Sequence, residues 1–171
     1  MSSGEVIFSH GQESGPWGTK IRAMADTVRE AGWAVTSIDY QGIAEPLERV
    51  EKLLAYCAGL DAPPVLVGSS MGGYVALATA ARSPARGLFL LAPALYVPGY
   101  EEYLPEPGRP DCATTIVHGW RDDVVPIAGS LRWGERTHAR LLLVDGDHRL
   151  TANIDFICKA LALFLAESEA G

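Results

Sequence analysis

A Gly-x-Ser-x-Gly pattern, Gly68-Ser69-Ser70-Met71-Gly72, follows the apolar run Val65-Leu66-Val67 and opens a stretch with helical spacing, Met71 to Arg82. A serine at the apex of a strand-to-helix turn is placed as a nucleophile. The turn is so tight that the residues two before and two after must be small, and Gly68 and Gly72 meet that need. The helix N-terminus behind Ser70 aims free backbone N–H groups and a positive dipole at any oxyanion formed beside it. The chemistry this suits is acyl transfer through a serine ester.

A serine hydroxyl attacks only when a base takes its proton, and a histidine base needs a carboxylate to fix its tautomer. On a turn of this type the chain order is serine, acid, histidine. His118, His138 and His148 follow Ser70. His148, in Asp145-Gly146-Asp147-His148-Arg149 just beyond the last strand-like run, is the expected base. His138, between Arg136 and Arg140, reads as a solvated residue at a helix end, and His118 closes a strand but precedes the acid. The acid is expected from His118-Gly119-Trp120-Arg121-Asp122-Asp123-Val124-Val125-Pro126. Asp122 is favoured, because Val124 to Pro126 reads as the chain entering the next helix, which would carry Asp123 towards its N-terminus as a cap. Asp123 is the alternative. Asp39, Asp145 and Asp147 sit in turn sequences, where Asp bonds its own backbone.

Stabilising a tetrahedral oxyanion takes a second N–H besides that of the residue after the nucleophile, drawn from the loop after a neighbouring strand. His10-Gly11-Gln12 follows the first strand-like run, so the backbone N–H groups of Gln12 and Met71 are assigned to the hole. His10 reads as a buried histidine hydrogen-bonded within its loop. Glu13, Ser14 and Trp17 continue that loop as one wall of a pocket.

The elements that must hold these residues alternate. Strand-like runs occur at 5–9, 34–38, 64–68, 87–91, 114–118 and 140–144, and segments of helical spacing at 19–31, 46–58, 71–82, 128–138 and 152–166. Near-continuous apolar strands separated by helices indicate an α/β fold, a three-layer α/β/α sandwich on a six-stranded parallel sheet. At 171 residues the chain is expected to form one domain, residues 1–171. Residues 92–112 interrupt the rhythm with five of the eleven prolines and no helical period, which reads as a lid loop. Tyr96, Tyr100, Tyr103 and Leu104 from this loop, with Trp17, are candidate substrate-binding residues lining an apolar acyl site. Ordinary packing of the loop on the core explains them equally well. Residues 167–171 are polar or small and are expected to fray.

Composition narrows the partners. A net charge of −7, with 14 Lys and Arg against 21 Asp and Glu, disfavours nucleic acid and anionic lipid surfaces. No apolar run approaches the roughly 20 residues of a membrane helix, and no signal-peptide pattern precedes the first strand, so a soluble cytoplasmic protein is expected. Cys57, Cys112 and Cys158 lack metal or disulfide spacing and read as reduced fillers. The scattered histidines suggest no metal, and Gly11-Gln12-Glu13-Ser14-Gly15 is not a dinucleotide-binding pattern, so no cofactor is expected.

Together His10-Gly11, Gly68 to Gly72, His118-Gly-x-x-Asp122-x-x-Val125-Pro126 and Gly146-Asp147-His148 resemble the α/β-hydrolase superfamily over essentially the whole chain. Gly18-Thr19-Lys20 and Asp147 to Leu150 look like its small single-domain esterases and thioesterases. The resemblance implies a triad of Ser70, Asp122 and His148, a strand order 2-1-3-4-5-6, and a minimal fold lacking the N-terminal antiparallel hairpin and cap domain of larger members. It also implies hydrolysis of a small-molecule ester or thioester. Peptidase or acyltransferase activity on the same fold, or a non-catalytic binding domain, are the alternatives.

Overall fold

The computed structural model describes residues 3–170. Its elements run β1 (Glu5–Ser9), α1 (Thr19–Glu30), β2 (Ala34–Ile38), α2 (Pro46–Ala58), β3 (Val65–Ser69), α3 (Met71–Ala80), β4 (Gly87–Leu91), β5 (Thr114–Gly119), α4 (Ile127–Thr137), β6 (Arg140–Val144), a 3-10 turn at Thr151–Asn153 and α5 (Ile154–Ala170). The strands form one six-stranded sheet in the order β2-β1-β3-β4-β5-β6, and every neighbouring pair is parallel. This is the expected topology, an α/β hydrolase fold.

Strand side chains alternate between two cores, as the period of two requires. Ile7, Leu66, Leu88, Leu90 and Ile116 point to the face covered by α2, α3 and α4, where Val50, Leu53, Tyr74, Leu77 and Trp133 meet them. Val6, Phe8, Val65, Val67, Phe89, Leu91 and Val117 point to the opposite face, against Met24 and Val28 of α1 and Leu161 and Phe164 of α5. Both faces are covered, which is why the central strands read as unbroken apolar runs. The edge strands β2 and β6 are mostly half-buried. Helix α3 is buried along its whole length, so the serine turn at its start is anchored to a fully buried element.

Two helix ends differ from expectation. Helix α5 continues to Ala170 rather than fraying after residue 166, because Arg140 grips Glu167 with two guanidinium nitrogens at 3.1 and 3.0 Å and Arg86 Nε donates to the Ser168 carbonyl at 3.0 Å. Gly171 lies outside the described residues. Asp123 does not cap α4. Pro126 occupies that position without a side-chain cap, and the N–H groups of Val124 and Val125 are taken by Asp122 Oδ1 at 2.9 and 2.8 Å.

Residues 92–112 form an irregular loop that is tied down at several points. Its first residues, Ala92 to Leu95, are buried. Tyr74 Oη donates to the Pro105 carbonyl at 2.8 Å, Tyr103 Oη to the Ala44 carbonyl at 2.6 Å, and Tyr96 Oη to Glu106 at 2.8 Å.

Candidate active site

Ser70 lies between β3 and α3 with φ 56° and ψ −121°, a conformation that a residue with a side chain adopts only when its surroundings over-determine it. Those surroundings are four main-chain bonds. The Ser70 N–H donates to the Leu91 carbonyl at 2.9 Å, and the Ser70 carbonyl accepts from the N–H groups of Gly73, Tyr74 and Ala94 at 3.0, 3.2 and 3.0 Å. The flanking glycines are required by contact. A Cβ on Gly68 would run into the Gly72 carbonyl, and one on Gly72 into the carbonyls of Ser9 and His10.

His148 is carried by the turn after β6, and Asp122 by the loop after β5, so both stand at the carboxyl end of the sheet with Ser70. Ser70 Oγ is 3.1 Å from His148 Nε2, and His148 Nδ1 is 2.8 Å from Asp122 Oδ2. An imidazole whose Nδ1–H donates to a carboxylate has Nε2 free to accept the serine proton. The turn itself is held by Asp147, whose Oδ1 accepts from the N–H groups of Arg149 and Leu150, both at 3.1 Å. Asp145 instead pairs with Arg121 at 2.7 Å, on the surface.

The Asp122 side chain is buried, and its four acceptor positions are filled. Oδ1 takes the two backbone N–H groups, and Oδ2 takes His148 and His118 Nε2, the latter at 3.1 Å. Burial alone would raise the Asp122 pKa, but the bonds from His148, Val125 and Val124 outweigh it and hold the carboxyl below its ordinary value. His118, which the chain-order argument sets aside as a base, is therefore a second histidine partner of Asp122, and a fully buried one. Its Nε2 also faces the Val125 carbonyl at 3.0 Å, so Nε2 carries the proton and Nδ1 accepts from Ser130 Oγ at 2.7 Å. The spacing His118-x-x-x-Asp122 was the only sequence signal for it. Asp123 is exposed.

Neither the Gln12 nor the Met71 N–H meets an acceptor among the described residues, and a Cβ built on Gly11 would lie 3.6 Å from Ser70 Cβ. His10 is buried, with Nδ1 2.7 Å from the Gly11 carbonyl and Nε2 accepting from the Tyr40 N–H at 2.8 Å. Burial lowers its pKa. Both ring nitrogens are thus committed to holding loops, and the neutral tautomer is set by them. Lys20, in the first turn of α1, has its pKa lowered by burial, against the opposing pull of Asp147 and Asp122.

The aromatic candidates are spread. Trp17 and Tyr100 are 40% and 53% exposed. Tyr103 is half-buried over the loop after β2, and Tyr96 lies against α4, with the Arg132 guanidinium 3.9 Å from its ring centroid. Leu104 packs within the α2–α3–α4 core rather than at the surface. Asp39 makes the expected turn, accepting from the Gln41 N–H at 2.8 Å, and His138 ends α4 in a left-handed conformation, exposed to solvent. All three cysteines are free. Among the described residues no group of three His, Cys, Asp or Glu is placed to hold a metal ion, and no helix is long and apolar enough to cross a membrane.

A parallel sheet in this order with a strained serine at the β3–α3 turn defines a protein of the α/β-hydrolase class. Residues 6–167 match the model of the alpha/beta hydrolase family, and the chain belongs to that family. Among solved structures it is similar to a putative hydrolase of the alpha/beta superfamily from Xanthomonas campestris pv. campestris, with 32% identity, 98% of this chain and 99% of that one covered, and a TM-score of 0.89. It is similar in fold to Est1E from Butyrivibrio proteoclasticus, solved with ferulic acid bound (19% identity, 99% and 91% covered, TM-score 0.84), and to a monoacylglycerol lipase from Paleococcus ferrophilus (16%, 96% and 94%, 0.76). A comparison with curated proteins finds no match.

Proposed function

We propose that the chain is a serine hydrolase that cleaves a carboxylic ester or thioester of a small or acyl-chain substrate. The observation that carries this reading is the unbroken line of short contacts from Ser70 Oγ through His148 to the buried, fully bonded carboxylate of Asp122. In the reaction Ser70 Oγ bonds to the acyl carbon while its proton passes to His148 Nε2. The imidazolium is stabilised by Asp122, and the oxyanion is received by the N–H groups of Gln12 and Met71. Collapse breaks the bond to the alcohol or thiol, which leaves with the proton from His148. Water, deprotonated by the same histidine, then hydrolyses the acyl-enzyme. No cofactor enters these steps.

Ester is favoured over amide because two structures of like fold are described as a monoacylglycerol lipase and as lipolytic enzymes. Trp17 and Tyr100 offer exposed apolar surface for the acyl part, with Tyr96, Tyr103 and Leu104 holding the loop that carries Tyr100. The test is labelling with a fluorophosphonate, beside Ser70→Ala, followed by turnover of p-nitrophenyl esters of increasing chain length. Stoichiometric labelling lost in Ser70→Ala, with ester turnover, is the expected result. Absence of labelling in the intact chain would replace this reading with that of a binding domain.

A further inference from the structure

Arg49, on α2, is 2% exposed, and no carboxylate lies within ion-pair distance of it among the described residues. A buried cation without a counter-charge is costly unless polar groups converge on it. Here the groups are three main-chain carbonyls: Nε donates to Ile43 at 2.8 Å, Nη1 to Gly11 at 3.1 Å and Nη2 to Gln12 at 3.3 Å, while the guanidinium carbon stands 5.3 Å from the Tyr40 ring centroid. Two of the three carbonyls belong to the loop that presents the Gln12 N–H beside Ser70.

In a planar trans peptide the C=O of one residue and the N–H of the next point in opposite directions. Arg49 and His10 pin the Gly11 carbonyl from the protein side, so the Gln12 N–H of the same peptide plane is turned the other way, where it meets no acceptor among the described residues. A charge-assisted bond on the carbonyl also polarises that peptide and strengthens its N–H as a donor. We infer that Arg49 is a positioning residue for the oxyanion hole, orienting and polarising the Gly11–Gln12 peptide without touching substrate. This rests on the serine-hydrolase reading. Lysine cannot replace it fully, since an ammonium lacks the planar fork that spans three carbonyls.

The test compares Arg49→Met and Arg49→Lys with the unmodified chain, each counted by fluorophosphonate titration of active sites. Substrates are a p-nitrophenyl ester and the matching thionoester, in which C=S replaces C=O. Sulfur accepts hydrogen bonds weakly, so loss of a hole donor slows the oxygen ester more than the thionoester, whereas a smaller folded fraction slows both alike. For Arg49→Met we expect kcat per titrated site on the ester to fall by about 100-fold, near the loss for one oxyanion donor, with KM nearly unchanged. The ester-to-thionoester rate ratio should fall with it, and Arg49→Lys should lie between. If Arg49→Met does not fold, the ratio in Arg49→Lys carries the test. An unchanged kcat per site, or an equal loss on both substrates, would overturn the inference while leaving the serine-hydrolase reading intact. An unmodified chain that is neither labelled nor active would instead remove that reading.

Discussion

His118 and His148 meet on a single atom, Asp122 Oδ2, which lies 3.1 Å from Nε2 of the first and 2.8 Å from Nδ1 of the second. The first imidazole is fully buried and is held on its far side by Ser130, whereas the second is partly open and faces Ser70. One ring fixes the carboxylate and the other is fixed by it. With the Val124 and Val125 N–H groups on Oδ1, the carboxylate has no freedom to rotate away from His148.

That arrangement separates the two neighbouring aspartates. Asp122→Asn would put an amide N–H₂ either against the two backbone N–H groups or against the two imidazoles, and in the second case it would reverse the tautomer that His148 needs. Turnover of the substrate found by the chain-length series should fall on the order of 10⁴-fold. Asp123→Asn, changing an exposed side chain that has no hydrogen-bond or ion-pair partner among the described residues, should stay within about twofold of the parent, since surface substitutions away from such networks change little. Steady-state kinetics on both variants decides it, and the opposite ranking would move the acid to Asp123.

The buried histidines set a pH dependence of stability. Burial lowers the pKa of His10 and of His118, so the unfolded chain binds their protons at a higher pH than the folded one. Stability from these groups is complete above the unfolded value of about 6.5 and is lost as pH falls through the lower folded values. Thermal melts should therefore show Tm declining as pH drops from about 7.5 to about 5.5. His10→Asn should melt lower at the upper pH but show a shallower decline, and an unchanged slope would count against the sign assigned to His10.

Gly72→Ala tests the turn. Its Cβ would enter space held by the carbonyls of Ser9, the last residue of β1, and of His10 just beyond it, main-chain atoms that give way only if the backbone shifts. Overpacking of this kind should cost at least about 2 kcal/mol, lowering Tm by about 4–8 °C for a chain of this length. Because the displaced atoms border the Gln12 loop, fluorophosphonate labelling should slow as well.

What could be read from the sequence follows from the range of the interactions concerned. The strands and helices were legible because the central strands are covered on both faces and read as apolar runs, and because α1, α2 and α4 carry an apolar stripe, whereas α3 is apolar all round. The serine turn was legible because its glycine requirement is local. Contacts between distant segments leave no such trace. Arg49 reads as one more charged residue on an amphipathic helix, yet it spans to residues 11, 12 and 43. The continuation of α5 to Ala170 depends on Arg140 and Arg86, each separated from it in sequence by a strand or more. The idea of Asp123 as a cap failed for a local reason: α4 starts only at Ile127 with Pro126 at its N-cap, which leaves Asp123 three residues short of the capping position.

The loop at 92–112 reads from sequence as a lid, and its ties predict how far it moves. Tyr74 and Tyr103 hold it from two sides through the carbonyls of Pro105 and Ala44, and the Leu104 N–H is bonded to the Tyr100 carbonyl at 2.7 Å. Removing either hydroxyl leaves a carbonyl without its donor, so Tyr74→Phe and Tyr103→Phe should each cost about 1 kcal/mol. The larger effect should be local. Hydrogen exchange at Leu104 should be slow in the parent and faster in the double variant, because local opening must break those two bonds as well as lift the Leu104 side chain from the core. Rapid exchange at Leu104 in the parent would show instead that the loop opens despite its ties, and a moving lid would then govern access to Ser70.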